Sequence, residues 1–155
     1  MNYITKYKFG RFCQRRGAAL IEMALAAAVL IPLTFGAIEF SDAFFKKNTL
    51  QGAAREGARA SIVAGATPTT ARDAARAVMT AAGFSSADYN TKYFIDVTNT
   101  SGASLSSFST LPAGTPIRVR VYGEWGKLGF SPYGFLSSSK VVNGVAVMRK
   151  ESPAS

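Results

Sequence analysis

Residues 18–38 read AALIEMALAAAVLIPLTFGAI, with Glu22 the single charge in the run. At about 1.5 Å of rise per residue, a helix of this length spans roughly 30 Å, the thickness of a bilayer hydrocarbon core. Leu20, Ile21, Leu25, Val29, Leu30, Ile31, Leu33, Phe35 and Ile38 supply the apolar side chains. Each favours insertion by about 0.3–0.6 kcal/mol, on the order of 3–5 kcal/mol together. That sum is comparable to the cost of one charge at the centre of a membrane helix, and Glu22 lies near one end, where the cost is smaller. The stretch reads as one membrane-spanning helix.

Working outward toward the N-terminus, Lys6, Lys8, Arg11, Arg15 and Arg16 precede the run without an acid among them. The whole chain carries 18 Lys+Arg against 9 Asp+Glu, a net charge of +9, and without those five the balance falls to 13 against 9. The basicity therefore concentrates where a topology signal sits. It places the N-terminus in the cytoplasm and Ser41 onward across the membrane. This reading is favoured over a nucleic-acid-binding arm, so no nucleic-acid partner is expected. A secretory signal peptide shares the basic start and apolar core. The run here is longer than the usual signal core and lacks a clear A-x-A site followed by a polar start.

Composition removes several kinds of chemistry. The chain has no histidine and one cysteine, Cys13, so Ser-His-Asp and Cys-His catalysis, histidine metal sites and an intramolecular disulfide framework are all excluded. No phosphate loop, paired-carboxylate spacing or metal cluster is evident. Neither a cofactor nor a metal is expected, and the chain does not read as an enzyme.

Toward the C-terminus, Pro32 removes a backbone donor and predicts a bend near residues 34–36. The helical pattern then continues toward Gly65 in SDAFFKKNTLQGAAREGARASIVAGA, with roughly one apolar residue per turn. Within it, Gly52, Ala53, Ala54, Gly57 and Ala58 make a smooth patch suited to close backbone approach, either by the protein's own sheet or by another subunit. Glu56 and Arg59 are spaced to pair at i,i+3. Pro68 predicts the end of this stretch, with Thr69 or Thr70 capping a second helix whose stripe is Ala71, Ala74, Ala75, Val78, Met79 and Ala82, and Gly83 its stop. Residues 93–98, 116–122 and 141–149 read as strands. In the second, Ile117, Val119 and Val121 alternate with Arg118, Arg120 and Tyr122. The arginine face reads as solvated in preference to anion-binding, and Gly144 suggests a bulge in the third strand. Trp125, Phe130, Tyr133 and Phe135 crowd into one connection, where they can anchor a partner or fold back over the sheet. The fold class is α+β: a long membrane-spanning N-terminal helix, one further helix and a roughly three-stranded antiparallel sheet covered on one face by the stem.

Three motifs carry a resemblance. Arg15-Arg16-Gly17 followed by Ala18-Ala19-Leu20-Ile21-Glu22 resembles the processing site of type IV prepilins and pseudopilins. The run Ala53-Ala54-Arg55-Glu56-Gly57-Ala58-Arg59 together with that start is similar to the TadE/TadF group of pseudopilins from tight-adherence (Flp) pilus systems. The closing VAVMRKE resembles the strand ending in M-R-x-E that often finishes such chains, whereas residues 67–116 carry no such signature. The resemblance implies a cut between Gly17 and Ala18 by a prepilin peptidase and a basic leader, residues 1–17, that is removed together with Cys13. Beside it, the pattern of the residues divides the rest of the chain into a membrane helix at 18–40, a helical stem at 41–66 and a periplasmic α+β domain at 67–155. Glu22, fifth in the cut chain, is then the intramembrane charge used in assembly.

The function so implied is that of a minor pilin-like protein of the bacterial inner membrane, single-pass, taking part in assembly of an adhesion pilus. Its implied partners are the prepilin peptidase, the major Flp-type pilin, sibling pseudopilins, the inner-membrane pilus platform and membrane lipid. The competing reading is a membrane-anchored periplasmic binding module unrelated to pili, using the aromatic connection.

Overall fold

The computed structural model describes residues 11–129 and 134–151. The chain divides into two compact units, Met1–Ile38 and Glu39–Ser155. Helix α1, Arg11–Ile62, is unbroken through Pro32. Two residues after that proline, the Thr34 hydroxyl donates to the Leu30 carbonyl at 2.8 Å, a back-bond to the preceding turn of the helix. In the first unit α1 is long and apolar enough to cross a membrane. Its large side chains are uncovered: Leu20, Met23, Leu25, Val29 and Leu33 are all about two-thirds exposed or more.

The second unit has the expected α+β architecture. Helix α2, Pro68–Ala81, begins differently from the sequence expectation: Thr67 is the N-cap and accepts from the Thr70 amide at 3.2 Å, while Pro68 occupies the first turn. Proline suits that position because its missing N–H would have no intrahelical acceptor there, and its fixed φ is already helical. At the other end Gly83 takes a left-handed conformation, φ +93°, and the Phe84 amide returns to the Met79 carbonyl at 3.1 Å, closing the helix as glycine stops do. Of the expected stripe, Ala71, Ala75 and Met79 are buried.

A short 3-10 turn, Ser86–Asp88, leads into the sheet. Strands β1, Phe94–Thr98, β2, Pro116–Glu124, and β3, Val141–Arg149, are antiparallel in the order β1-β2-β3. A four-residue helix α3, Trp125–Leu128, follows β2 directly. The alternation in β2 is realised as read: Ile117, Val119 and Val121 are fully buried and the residues between them are not. Their cross-strand partners on β3, Met148, Ala146 and Gly144, continue the same face. Leu50, Ala53, Ala54 and Ala58 of α1, with Ala71, Ala75 and Met79 of α2, complete one hydrophobic core over that face.

The bulge expected at Gly144 is absent. Register runs without interruption through Val121 opposite Gly144. Glycine is required there for another reason: a Cβ would overlap the backbone of Leu50 and Gln51, so α1 crosses the sheet at the one β3 position with no side chain.

Candidate functional site

The residues singled out by the sequence lie along α1 and in the connection after β2, and the structure uses them in different ways. Gly17 is half-buried and Ala18 exposed, both inside α1. A Cβ added at Gly17 would meet nothing within 4 Å. Glycine in a helix interior costs about 1 kcal/mol relative to alanine, and no close approach at this position offsets that cost. Glu22 is exposed, and its carboxylate has no hydrogen bond or ion pair among the described residues.

The small residues of the second motif are packed inside the domain. Ala53, Ala54 and Ala58 are fully buried. A Cβ on Gly57 would lie 2.9 Å from the Ala71 carbonyl oxygen and 3.1 Å from Cγ1 of Val119, so this glycine sets the approach of α1 to both α2 and β2. Of the two readings of the smooth patch, contact with the protein's own fold accounts for Ala53, Ala54, Gly57 and Ala58, whereas Gly52 makes no such contact. The motif's charged members face outward. Arg59 forms a two-pronged pair with Glu56, Nη2 to Oε1 at 2.9 Å and Nε to Oε2 at 3.2 Å, and that pair holds the guanidinium pKa above its ordinary value. Arg55 is exposed beside it.

Two polar residues that the sequence reading did not single out bind backbone across the domain. Gln51 Nε2 donates to the Val145 carbonyl at 2.8 Å, and Val145 N–H donates to Gln51 Oε1 at 3.3 Å. The side-chain amide thus substitutes for a neighbouring strand at the outer edge of β3, a site that open edges otherwise leave to water or to another chain. Glu39 is fully buried and accepts from the Leu136 amide at 2.8 Å. Neither signal is readable from periodicity, because each residue pairs with backbone more than ninety positions away.

The four aromatics after β2 do not make one exposed set. Trp125 is fully buried, whereas Phe135 is 51% exposed; Phe130 and Tyr133 lie outside the described residues. Trp125 N–H donates to the Lys140 carbonyl and Gly126 N–H to Ser138, both at 2.8 Å, which straps α3 to the segment before β3. On the outer sheet face the arginines are partly covered. The Arg120 guanidinium lies over the Tyr122 ring at 4.4 Å, and Tyr122 stacks on Phe94 at 5.5 Å. Burial is the chief cause of the raised Tyr122 pKa there.

The closing motif is structural in its polar part. Lys150 Nζ donates to the carbonyls of Phe108 and Leu111, each at 2.7 Å, and this fixes the long connection between β1 and β2. The same lysine lines a cavity of about 430 Å³ with Gly65, Ser107 and Glu151, but two of its three donors are already directed at carbonyls. Among the described residues no group of three or more His, Cys, Asp or Glu side chains gathers to hold a metal.

The TadE-like protein family matches residues 17–59, from the glycine before the apolar run to the last arginine of the second motif. No curated protein and no solved structure matches the chain.

Proposed function

We propose, from the TadE-like segment at residues 17–59, that this chain is a minor pilin-like membrane protein that takes part in assembling a Flp-type adhesion pilus after a prepilin peptidase cuts between Gly17 and Ala18. The observation that carries the reading is the matched segment itself. It joins an uncovered apolar helix to a run of small residues buried in a folded domain, so one helix is both anchor and structural spine. Gly17 supports the cut, since no packing contact accounts for a glycine there.

On this reading the chain stands in the inner membrane with residues 1–17 cytoplasmic and the α+β domain periplasmic. Processing creates a new amine on Ala18. A carboxylate in hydrocarbon needs a partner, and the amine of a neighbouring subunit supplies one for Glu22; ion pairing then offsets desolvation. Major pilin, sibling pseudopilins and the inner-membrane platform are the proposed neighbours, and the prepilin peptidase acts before them.

The test is the intact mass of the membrane-extracted chain, produced with and without a matching prepilin peptidase. Loss of residues 1–17 only when the peptidase is present is the expected result. A full-length mass in both samples, or a cut beyond Ile38, overturns the proposal. Replacing Gly17 with glutamate should block the cut, because a peptidase that closes around the residue before the scissile bond has no room for a long charged side chain.

A further inference from the structure

A cavity of about 380 Å³ lies wholly within the second unit, lined by Phe40, Phe44, Lys47, Trp125, Lys140 and Val141 among others. Its composition is unusual for a surface in water. Phe40 is 50% exposed, Phe44 67% and Val141 48%, yet the lining carries two lysines and no acid. Lys46, next in sequence to Lys47, is engaged by Asp42 at 3.9 Å and by the ring of Phe84 at 4.6 Å. The side-chain ammonium groups of Lys47 and Lys140 have no hydrogen bond or ion pair among the described residues. The strap from Trp125 N–H to the Lys140 carbonyl places the Lys140 backbone against the start of α3.

Position along α1 indicates what covers this surface. Phe40 and Phe44 follow Ile38, the last residue of the apolar run, by less than two helical turns, and Lys47 comes one turn later. Exposed apolar rings followed by cations suit the boundary of a membrane, where phenylalanine rings meet the upper acyl chains and lysines meet phosphate. A second copy of this chain is a poorer occupant, because it would bring the same unpaired lysines to the same rim, and like charges repel.

We propose that this cavity binds an anionic phospholipid, with the phosphate between Lys47 and Lys140 and the upper acyl chain against Phe40, Phe44 and Val141. The site would hold the base of the domain to the membrane surface and select among headgroups. The proposal rests on the reading of residues 18–38 as a membrane span.

Trp125 is the chain's one tryptophan and lines the cavity, so its emission reports the site directly. The full chain is reconstituted in phosphatidylcholine vesicles containing a small share of either brominated phosphatidylglycerol or brominated phosphatidylcholine, and bromine quenching of Trp125 is measured after flotation. The expected result is a preference for the anionic lipid of roughly fivefold per lysine, abolished in the K47Q/K140Q double variant. Both lysines are exposed without partners, and unchanged Trp125 emission without bromine verifies that the double variant is folded. Equal quenching by the two lipids, or a preference surviving the double substitution, overturns the headgroup site while leaving the span intact. No quenching by either, with emission that depends on protein density in the membrane, overturns it in favour of a second copy. Failure to float with the vesicles overturns the span itself and the lipid site with it.

Discussion

Two parts of the same helix are rich in apolar residues and yet meet opposite environments. In residues 18–38 the apolar side chains are large, and Leu20, Leu25, Val29 and Leu33 are left uncovered. In residues 50–58 they are mostly alanine and glycine, and Leu50, Ala53, Ala54 and Ala58 are completely buried. The difference is one of shape. Long side chains project from the helix on all sides and suit a fluid hydrocarbon solvent, whereas small ones let a second backbone approach until the elements touch. Hydropathy alone would rank the first segment as the stronger core; residue size identifies the second.

That contrast predicts which substitutions matter. The largest effect is expected at the crossing of α1 and β3. Gly144→Leu would drive a side chain into the Leu50–Gln51 backbone, and a loss of at least about 3 kcal/mol is expected, beyond ordinary overpacking because backbone must move. Chemical denaturation of the full chain, followed by Trp125 emission, measures it. Next comes a pair of glycines five residues apart. Gly57→Ala places a methyl against the Ala71 carbonyl and Val119, while Gly52→Ala meets nothing within 4 Å. The first should destabilise by about 1–3 kcal/mol, and the second should stabilise by about 0.5–1 kcal/mol through helix propensity. Equal effects at the two positions would mean that the stem does not pack as described.

The smallest effect lies away from the stem, at the turn before β1. The Lys92 ammonium and then the Ser85 amide hold the Asp88 carboxyl below its ordinary value. A depressed carboxylate pKa stabilises the fold at pH above the unfolded value, and that contribution is lost as pH falls through the lower, folded value. Asp88→Asn should therefore flatten the acid side of the stability–pH curve and leave its alkaline side unchanged, as read by thermal melts across acidic pH. Because Asp88 and Lys92 are near the surface, added salt should shrink the difference.

The same contrast explains which features could be read from sequence. Strand β2 announced itself by strict alternation, because one of its faces is buried and the other is not. The N-terminal run needed only length and hydropathy. Gly144 was misread because a glycine in a strand pattern signals either a bulge or a close approach by another element, and only the tertiary fold separates the two. The N-cap of α2 slipped to Thr69 or Thr70 because two later threonines compete with Thr67 on composition, and only Pro68 in the first turn decides among them. Gln51, Glu39 and the burial of Trp125 depend on partners distant in the chain, for which local pattern carries no trace. The motif at residues 53–59 was recognisable as a string, but the roles of its members were not. Its glycine and alanines make the core, and its charges face water.

The central claim is that the exposed apolar half of α1 is covered by lipid while the domain's outward charges remain in water. Val29 is 68% exposed and the Arg59 side chain 71% exposed, so the fold by itself protects neither. The direct test replaces Cys13 with serine and introduces one cysteine, at Val29 or at Arg59, then adds a charged maleimide to vesicles opened to the reagent on both faces. Rapid labelling at position 59 and protection at position 29, with equal labelling of both once the membrane is dissolved in denaturant, is the predicted result. Equal labelling of the two positions in intact bilayers would contradict the account.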